Sequence, residues 1–169
     1  MSRPELSSIP SYYHSYVSLV GEDEILVALD ENTKATILFL NSIPEEKWTF
    51  SYAKGKWTIK DLVQHVIDSE RIFSYRALRF ARNDKTPLAG FDENTFAASS
   101  KANSRTKKEL ITEFEATRNS TYLLFKSFDE EQLNYSGNAN NNWISVIGIG
   151  YVIAGHVKHH MHILKERYV

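Results

Sequence analysis

The sequence predicts an all-α fold, a four-helix bundle of the up-down type with a long connection between its second and third helices. Four long stretches repeat their apolar residues with the 3.6-residue period of an amphipathic helix, and no stretch shows a convincing strand alternation. The segments between these stretches are rich in the proline, glycine, asparagine and aspartate that interrupt helices. At 169 residues, the chain is expected to form one domain over residues 1–169.

Composition and charge narrow the classes of function. The content of 42% hydrophobic and 12% aromatic residues is typical of a folded globular protein. A net charge of −1 argues against partners held by electrostatics, such as nucleic acid or a membrane surface. No apolar run reaches membrane-spanning length, and the amino-terminal residues lack the apolar core of a signal peptide. A cytoplasmic location is therefore expected.

The chain contains no cysteine. This excludes disulfides, a cysteine nucleophile and thiolate metal ligands, so that a transition metal would have to be held by histidine, aspartate or glutamate. The sequence also has no glycine-rich phosphate loop and no Gly-x-Ser-x-Gly elbow.

The first long helix is predicted over residues 23–41, and Pro44 marks its end. Its apolar face comprises Ile25, Leu29, Thr33, Thr36, Ile37 and Leu40. Residues 1–20 precede it and contain prolines and three closely spaced tyrosines. We expect an irregular or one-turn segment there that packs its rings on the bundle.

The second helix is predicted to begin after Thr58, a suitable N-cap with Asp61 in the first turn, and to continue to about Arg82. Its buried face comprises Ile59, Leu62, Val66, Phe73, Ala77 and Phe80. His65 lies at the edge of this face. A lone histidine in such a place is usually a hydrogen-bonded core residue.

A loop over residues 83–92, with a short helical turn after it, forms the long connection and is a candidate lid over a site. The third helix is predicted over residues 104–127, with Ser104 as its N-cap. Residues 138–142 form a polar loop before the last helix, which is predicted over residues 144–168.

The last helix carries the most informative motif, because four of the six histidines lie within residues 156–162. At about 100° per residue, His156 and His160 fall in the middle of the apolar stripe. His159 falls at the edge of the stripe, and His162 lies outside it. Two histidines inside a buried stripe need partners, since an unpaired buried polar group costs roughly a few kcal/mol.

Two interpretations of these partners stay open at this point. A metal ion would satisfy His156 and His160 together, whereas hydrogen bonds to carboxylates or hydroxyls on a facing helix would satisfy each one separately. If His65 completes the set, three neutral nitrogen donors leave a coordination position free, as in catalytic sites. The donor type admits zinc, nickel, iron or manganese. A zinc-protease motif is excluded because Val157 occupies the glutamate position, and no Glu-x-x-His pair supports a di-iron bundle.

The second helix, the loop after it and the last helix together resemble the DinB-like (YfiT-type) superfamily. The resemblance is carried by Gly55-Lys56-Trp57-Thr58-Ile59 and His65, by residues 68–79, by residues 84–94, and by Tyr151-Val152-Ile153-Ala154-Gly155-His156 through His160. It covers nearly the whole chain. Each motif is weak by itself, whereas their order and spacing are specific.

This resemblance implies a four-helix bundle in which His65, His156 and His160 hold one divalent metal ion, first of all zinc or nickel, with iron or manganese as alternatives. The same two histidines of the last helix emerged from the face pattern. Some members of the superfamily are thiol S-transferases that use bacillithiol, mycothiol or glutathione. Others have been described as metal-dependent hydrolases, and members often form homodimers.

The function that we expect is metal-dependent S-transfer, in which a small-molecule thiol, or water, is activated for attack on a small electrophile. Trp57 and Arg76 are candidate substrate-binding residues, and Arg76 could equally form a salt bridge within the bundle. Asp68 and His159 are candidates to support the ligands, with exposed positions as the simpler interpretation. A hydrolase and a non-catalytic metal- or ligand-binding bundle are the alternatives.

Overall fold

The structure, a computed structural model, describes residues 3–169. The predicted four-helix bundle is confirmed, and its long helices are the second, third, fifth and seventh along the described chain. In chain order, the helices are α1 His14–Val17, α2 Ile25–Ser42, α3 Ile59–Ala81, α4 Glu93–Ser99, α5 Lys107–Lys126, α6 Glu130–Asn134 and α7 Val146–Arg167. Short 3₁₀ turns lie at Leu6–Ser8, Ser11–Tyr13, Glu45–Thr49 and Ala102–Ser104.

The four long helices form a ring in which neighbours in sequence are not always neighbours in space. Helix α2 packs mainly against α5 and α7, and α3 packs mainly against the same two helices. Helices α2 and α3 therefore lie at opposite corners of the bundle, and so do α5 and α7. This order brings α3 directly against α7, so that their histidine-bearing faces meet.

Local capping explains where the helices begin. Thr58 and Asp61 form a capping box at the start of α3, as the sequence predicts. The prediction that Ser104 caps the third helix is wrong. Thr106 does so, because its hydroxyl accepts from the Glu109 backbone N–H and the Glu109 carboxylate accepts from the Thr106 N–H.

The polar loop predicted over residues 138–142 is in fact the turn of a hairpin of strands β1 Ser136–Ala139 and β2 Asn142–Ser145. Asn140 and Asn141 both have a positive φ, of 52° and 60°, as the tight two-residue turn of a hairpin requires. Because β2 includes Ile144, helix α7 begins at Val146 with Ser145 as its N-cap, two residues later than predicted.

The long connection between α3 and α5 is tied to this hairpin. Leu88 donates its N–H to the Asn138 carbonyl and accepts from the Asn140 N–H, each at 2.9 Å. The short helical turn expected after the loop is α4, with Asp92 as its N-cap. The hairpin and the connection therefore form one assembly at one end of the bundle.

A layer of polar residues divides the core into two apolar clusters. One cluster includes Leu29, Phe80, Phe125 and Val152, and the other includes Leu40, Ile67, Phe114 and Leu164. Between them along the four helices lie the buried polar residues Asn32, Thr36, Ser69, Glu70, Arg118, Thr121 and His156. His156 is thus part of a polar layer between the two apolar clusters. Across residues 3–169, no helix is long and apolar enough to cross a membrane.

Candidate metal centre

Three histidine side chains from two helices converge at this level. His65 projects from α3, and His156 and His160 project from α7 one helical turn apart. The Nε2 atom of His156 lies 3.1 Å from Nε2 of His65 and 3.0 Å from Nε2 of His160. One ring nitrogen of each histidine lies within 4.8 Å of the others. The structure therefore brings together the three residues that the sequence predicts as ligands.

Burial keeps all three imidazoles neutral. It lowers the pKa of His65 to about 4 and, with the neighbouring histidines, lowers the pKa of His160 to about 3. The pKa of His156 lies well below its ordinary value, first because of burial and then because of His160 and His65. Neutral imidazole is the form that binds a metal ion.

Hydrogen bonding by itself does not satisfy this arrangement. A neutral imidazole nitrogen either donates one N–H or accepts through one lone pair. The Nε2 atom of His156 faces two other Nε2 atoms at about hydrogen-bond distance, so it cannot form good hydrogen bonds with both. A divalent cation uses all three lone pairs, and metal–nitrogen bonds of about 2.0–2.1 Å place ligand atoms roughly 3 Å apart. The residues present fit such an ion.

The side chain that lies beside the His65 imidazole on α3 is not the predicted Asp68 but Ser69. The Ser69 hydroxyl lies 3.5 Å from Nδ1 of His65, one helical turn further along α3. Asp68 instead accepts a hydrogen bond from Gln64 at 2.9 Å and lies 3.8 Å from Arg71. Spacing by four residues from His65 is the signal that could have identified Ser69.

A cavity of about 350 Å³ adjoins the three histidines, and we call it the main cavity. Its aromatic lining consists of Tyr12, Tyr13, Tyr16, Trp57, Phe73 and Phe91. Its polar lining, besides the histidines, consists of Ser69, Arg76, Glu93, Asn140 and Asn142. Tyr12 is 71% exposed, which shows that the cavity reaches the surface. The N-terminal segment, the connection and the hairpin thus all contribute walls.

Trp57 and Arg76, the two predicted substrate-binding residues, both line this cavity. The centre of the Trp57 ring lies 4.7 Å from that of His65. Arg76 is buried and donates to the Ala89 carbonyl at 2.9 Å, and burial lowers its pKa. It forms no ion pair with a carboxylate among residues 3–169, so the salt bridge considered for it is absent there.

The N-terminal segment covers the other side of the histidines, a role that the sequence analysis missed. The centre of the Tyr16 ring lies 5.4 Å from that of His156 and 5.0 Å from that of His159. His159 is thereby partly buried behind Tyr16, rather than free on the surface. A glycine in α7, Gly155, permits this contact, because a Cβ atom there would lie 2.1 Å from the Tyr16 carbonyl oxygen.

Comparison with known proteins identifies the family. The family model of the DinB superfamily matches residues 28–164, which include all three histidines. This chain belongs to the DinB superfamily. A protein of Oceanobacillus iheyensis whose name assigns it provisionally to the metal-dependent hydrolases is 30% identical over 124 residues, which are 72% of this chain and 70% of that protein.

Solved structures share the fold of this DinB protein at low sequence identity. YfiT from Bacillus subtilis, described as a probable metal-dependent hydrolase with an unusual four-helix bundle topology, superposes with a TM-score of 0.74 at 15% identity. That alignment covers 97% of this chain and 90% of YfiT. A mycothiol-dependent maleylpyruvate isomerase gives a TM-score of 0.69 at 14% identity, over 82% of this chain and 58% of the isomerase.

Proposed function

We propose that this DinB protein is a divalent-metal enzyme that joins a small-molecule thiol to a small electrophile. His65, His156 and His160 hold the metal ion, which is zinc or nickel in the first instance. The observation that carries this proposal is the convergence of three neutral imidazoles at the wall of a cavity of about 350 Å³ that reaches the surface. An accessible cavity beside the ligands favours an enzyme over a bundle in which a metal only stabilises the fold.

The metal ion, when bound, would lower the pKa of a thiol or water that it contacts, and so supply a nucleophile near neutral pH. Because the chain has no cysteine, the sulfur has to come from a cosubstrate. Trp57 and Phe73 provide apolar walls that exclude water from the reacting groups. Arg76, whose guanidinium has donors beyond the one used by Ala89, binds an anionic group of a reactant.

Hydrolysis is the second candidate, because water can take the place of the thiol. The names of the Oceanobacillus iheyensis protein and of YfiT favour it, whereas the mycothiol-dependent isomerase favours thiol chemistry. The two reactions are distinguished by whether turnover of an electrophile requires added thiol. We expect the metal-loaded protein to form a C–S bond between a thiol and 1-chloro-2,4-dinitrobenzene, with release of chloride and the thiol proton, and to cleave activated esters slowly in comparison.

The metal content of protein purified without an affinity tag tests the proposal first. We expect about one equivalent of a transition metal per chain, and less than about a tenth of that in His160→Ala, because two histidines bind far more weakly than three. His162→Ala is the matched control, since His162 is exposed and pairs with Glu166 at 3.1 Å on the same helix. Its metal content should equal that of the wild type.

Absence of metal in the wild type, even after reconstitution with zinc, nickel, iron and manganese, would overturn the proposed function. Equal metal loss in His160→Ala and His162→Ala would also contradict it, because an adventitious surface site would then be responsible.

We further expect a homodimer in solution, and light scattering coupled to size-exclusion chromatography tests this independently of the metal.

A further inference from the structure

A second pocket lies beside the histidines, and we call it the basic pocket. It has a volume of about 260 Å³ and is formed by the residues before α3, the first turn of α3, the start of α4 and the end of α7. Its lining consists of Tyr52, Gly55, Lys56, Trp57, Leu62, Asn94, His160, Ile163, Arg167 and Tyr168. Its two charged lining residues, Lys56 and Arg167, have no role in the reaction proposed above.

Two residues connect the basic pocket to the main cavity. Trp57 and His160 line both spaces, so the indole and one proposed metal ligand stand between them. The backbone at Trp57 is held by α7, because the Tyr168 hydroxyl after that helix donates to the Trp57 carbonyl at 2.9 Å. The two spaces therefore adjoin the metal centre on two sides of the Trp57 and His160 rings, which suits a reaction that brings two molecules together.

The two spaces differ in charge. The main cavity is lined by one cation and one carboxylate, Arg76 and Glu93. The basic pocket is lined by two cations, Lys56 and Arg167, and by no carboxylate. Within residues 3–169, neither of these cations forms an ion pair.

Arg167 is held towards the pocket wall and keeps donors free. Its Nη1 atom donates to the Tyr52 hydroxyl at 3.2 Å, and its guanidinium carbon lies 5.4 Å from the centre of the Tyr52 ring. A guanidinium has five N–H donors, so most of them remain for a ligand. Asp61, the carboxylate at the start of α3, is used by the Thr58 cap and by Asn103.

We propose that the basic pocket binds the anionic end of the thiol cosubstrate, while the electrophile occupies the main cavity. This inference rests on the proposed function. A carboxylate, sulfonate or phosphate group held by Lys56 and Arg167 directs the sulfur of the same molecule towards the His160 side of the metal centre. The larger main cavity, with its aromatic walls, then remains available to the electrophile.

Cobalt-loaded protein provides the test, because the visible absorption of protein-bound Co²⁺ changes when a thiol binds to the ion. The probes are mercaptoalkanesulfonates with two to four methylene groups and the neutral mercaptoalcohols of the same lengths. A sulfonate is a weak metal ligand. A difference in affinity between a mercaptoalkanesulfonate and the mercaptoalcohol of the same length therefore reports how the protein recognises the negative charge. We expect the best sulfonate to bind about tenfold more tightly than its alcohol, as two partly exposed ionic contacts would give.

The double variant Lys56→Gln/Arg167→Gln should lose this advantage while binding the mercaptoalcohols as before. Lys108→Gln/Lys126→Gln is the matched control, because it removes the same net charge from two exposed positions outside the pocket and should keep the advantage. The advantage should also shrink at high salt, since exposed charges are screened.

Each outcome separates this inference from the function on which it rests. If no thiol changes the spectrum of the cobalt-loaded protein, the proposed thiol chemistry fails. If thiols bind but sulfonates and alcohols bind equally, the proposed function stands and the role of the basic pocket is wrong. An advantage that survives in Lys56→Gln/Arg167→Gln and disappears in Arg76→Gln would place the anion in the main cavity and overturn the inference.

Discussion

Replacement of Arg118 by methionine is expected to lower the free energy of unfolding by about 3–5 kcal/mol, the loss found when one partner of a buried ion pair is removed. Arg118 on α5 and Glu70 on α3 are 1% and 2% exposed, and their charged groups lie 3.0 Å apart in the polar layer of the core. Without Arg118, the Glu70 carboxylate would be buried with no compensating charge. Burial already raises the pKa of Glu70, and Arg118 opposes that rise.

The double variant Glu70→Met/Arg118→Met should recover most of this loss. Apolar side chains of similar volume remove the desolvation cost of both charges, so the pair can be replaced at little net change in stability. Urea unfolding of chelator-treated protein measures both effects without the contribution of a bound metal. The stability of the double variant decides between a coupled pair and two independent residues.

Lys34→Met is the matched control for this experiment. Lys34 pairs with Asp30 at 2.6 Å, although both side chains are largely exposed, and water compensates for the loss of the partner. We expect no measurable change in stability for it. Additive losses in Glu70→Met and Arg118→Met, with a double variant as unstable as their sum, would show that the buried pair is not energetically coupled.

Replacement of Gly155 by alanine is expected to destabilise the protein by about 1–3 kcal/mol, the range found for overpacked cores. In most helices the opposite holds, because alanine favours a helix over glycine by about 1 kcal/mol. Here a Cβ atom would lie 2.1 Å from the carbonyl oxygen and 2.4 Å from the carbonyl carbon of Tyr16. Since both are backbone atoms, a change of side-chain rotamer cannot relieve the contact, and the N-terminal segment has to move away from α7.

The displacement should be local and detectable in the segment that carries Tyr16. The Tyr16 ring packs on His156, so residues 14–20 should exchange their amide hydrogens faster in Gly155→Ala, while the hydrogen exchange of α3 and α5 changes little. Gly148→Ala on the same helix is the control. Its added Cβ would lie 3.1 Å from side-chain atoms of Ile144 and Ser145, so it requires only a small side-chain shift and no displacement of a backbone segment. Equal behaviour of the two variants would contradict the proposed backbone contact.

Much of the candidate site follows from periodicity within single helices. The positions of His156 and His160 on one face depend only on a rotation of about 100° per residue, and the start of α3 depends on Thr58 and Asp61 in a single turn. These relations join residues that are close in sequence, so they do not depend on where the helix packs. Periodicity places His65 only at the edge of its face, so its assignment as a ligand depends on the need of the last helix for a third ligand and on the family resemblance.

The hairpin depends on contacts with a second segment of the chain. The hairpin was missed because its strands are short, and its pairing with Leu88 joins residues that are far apart in sequence. The error at Ser104 is local: serine is a favoured cap, but of these two residues only Thr106 has a glutamate three residues later to complete the capping box.

The amino-acid sequence by itself determined the four amphipathic helices, their approximate limits and the histidine face of the last one, because these follow from side-chain spacing along one helix. Only the tertiary structure decided that α3 lies against α7, that Tyr16 packs over His156 and that Glu70 pairs with Arg118 inside the core. In a sequence, Glu70 and Arg118 look like surface residues, because their burial is favourable only when each has the other as a partner. Contacts between distant segments depend on the packing of whole helices, and no local pattern specifies them.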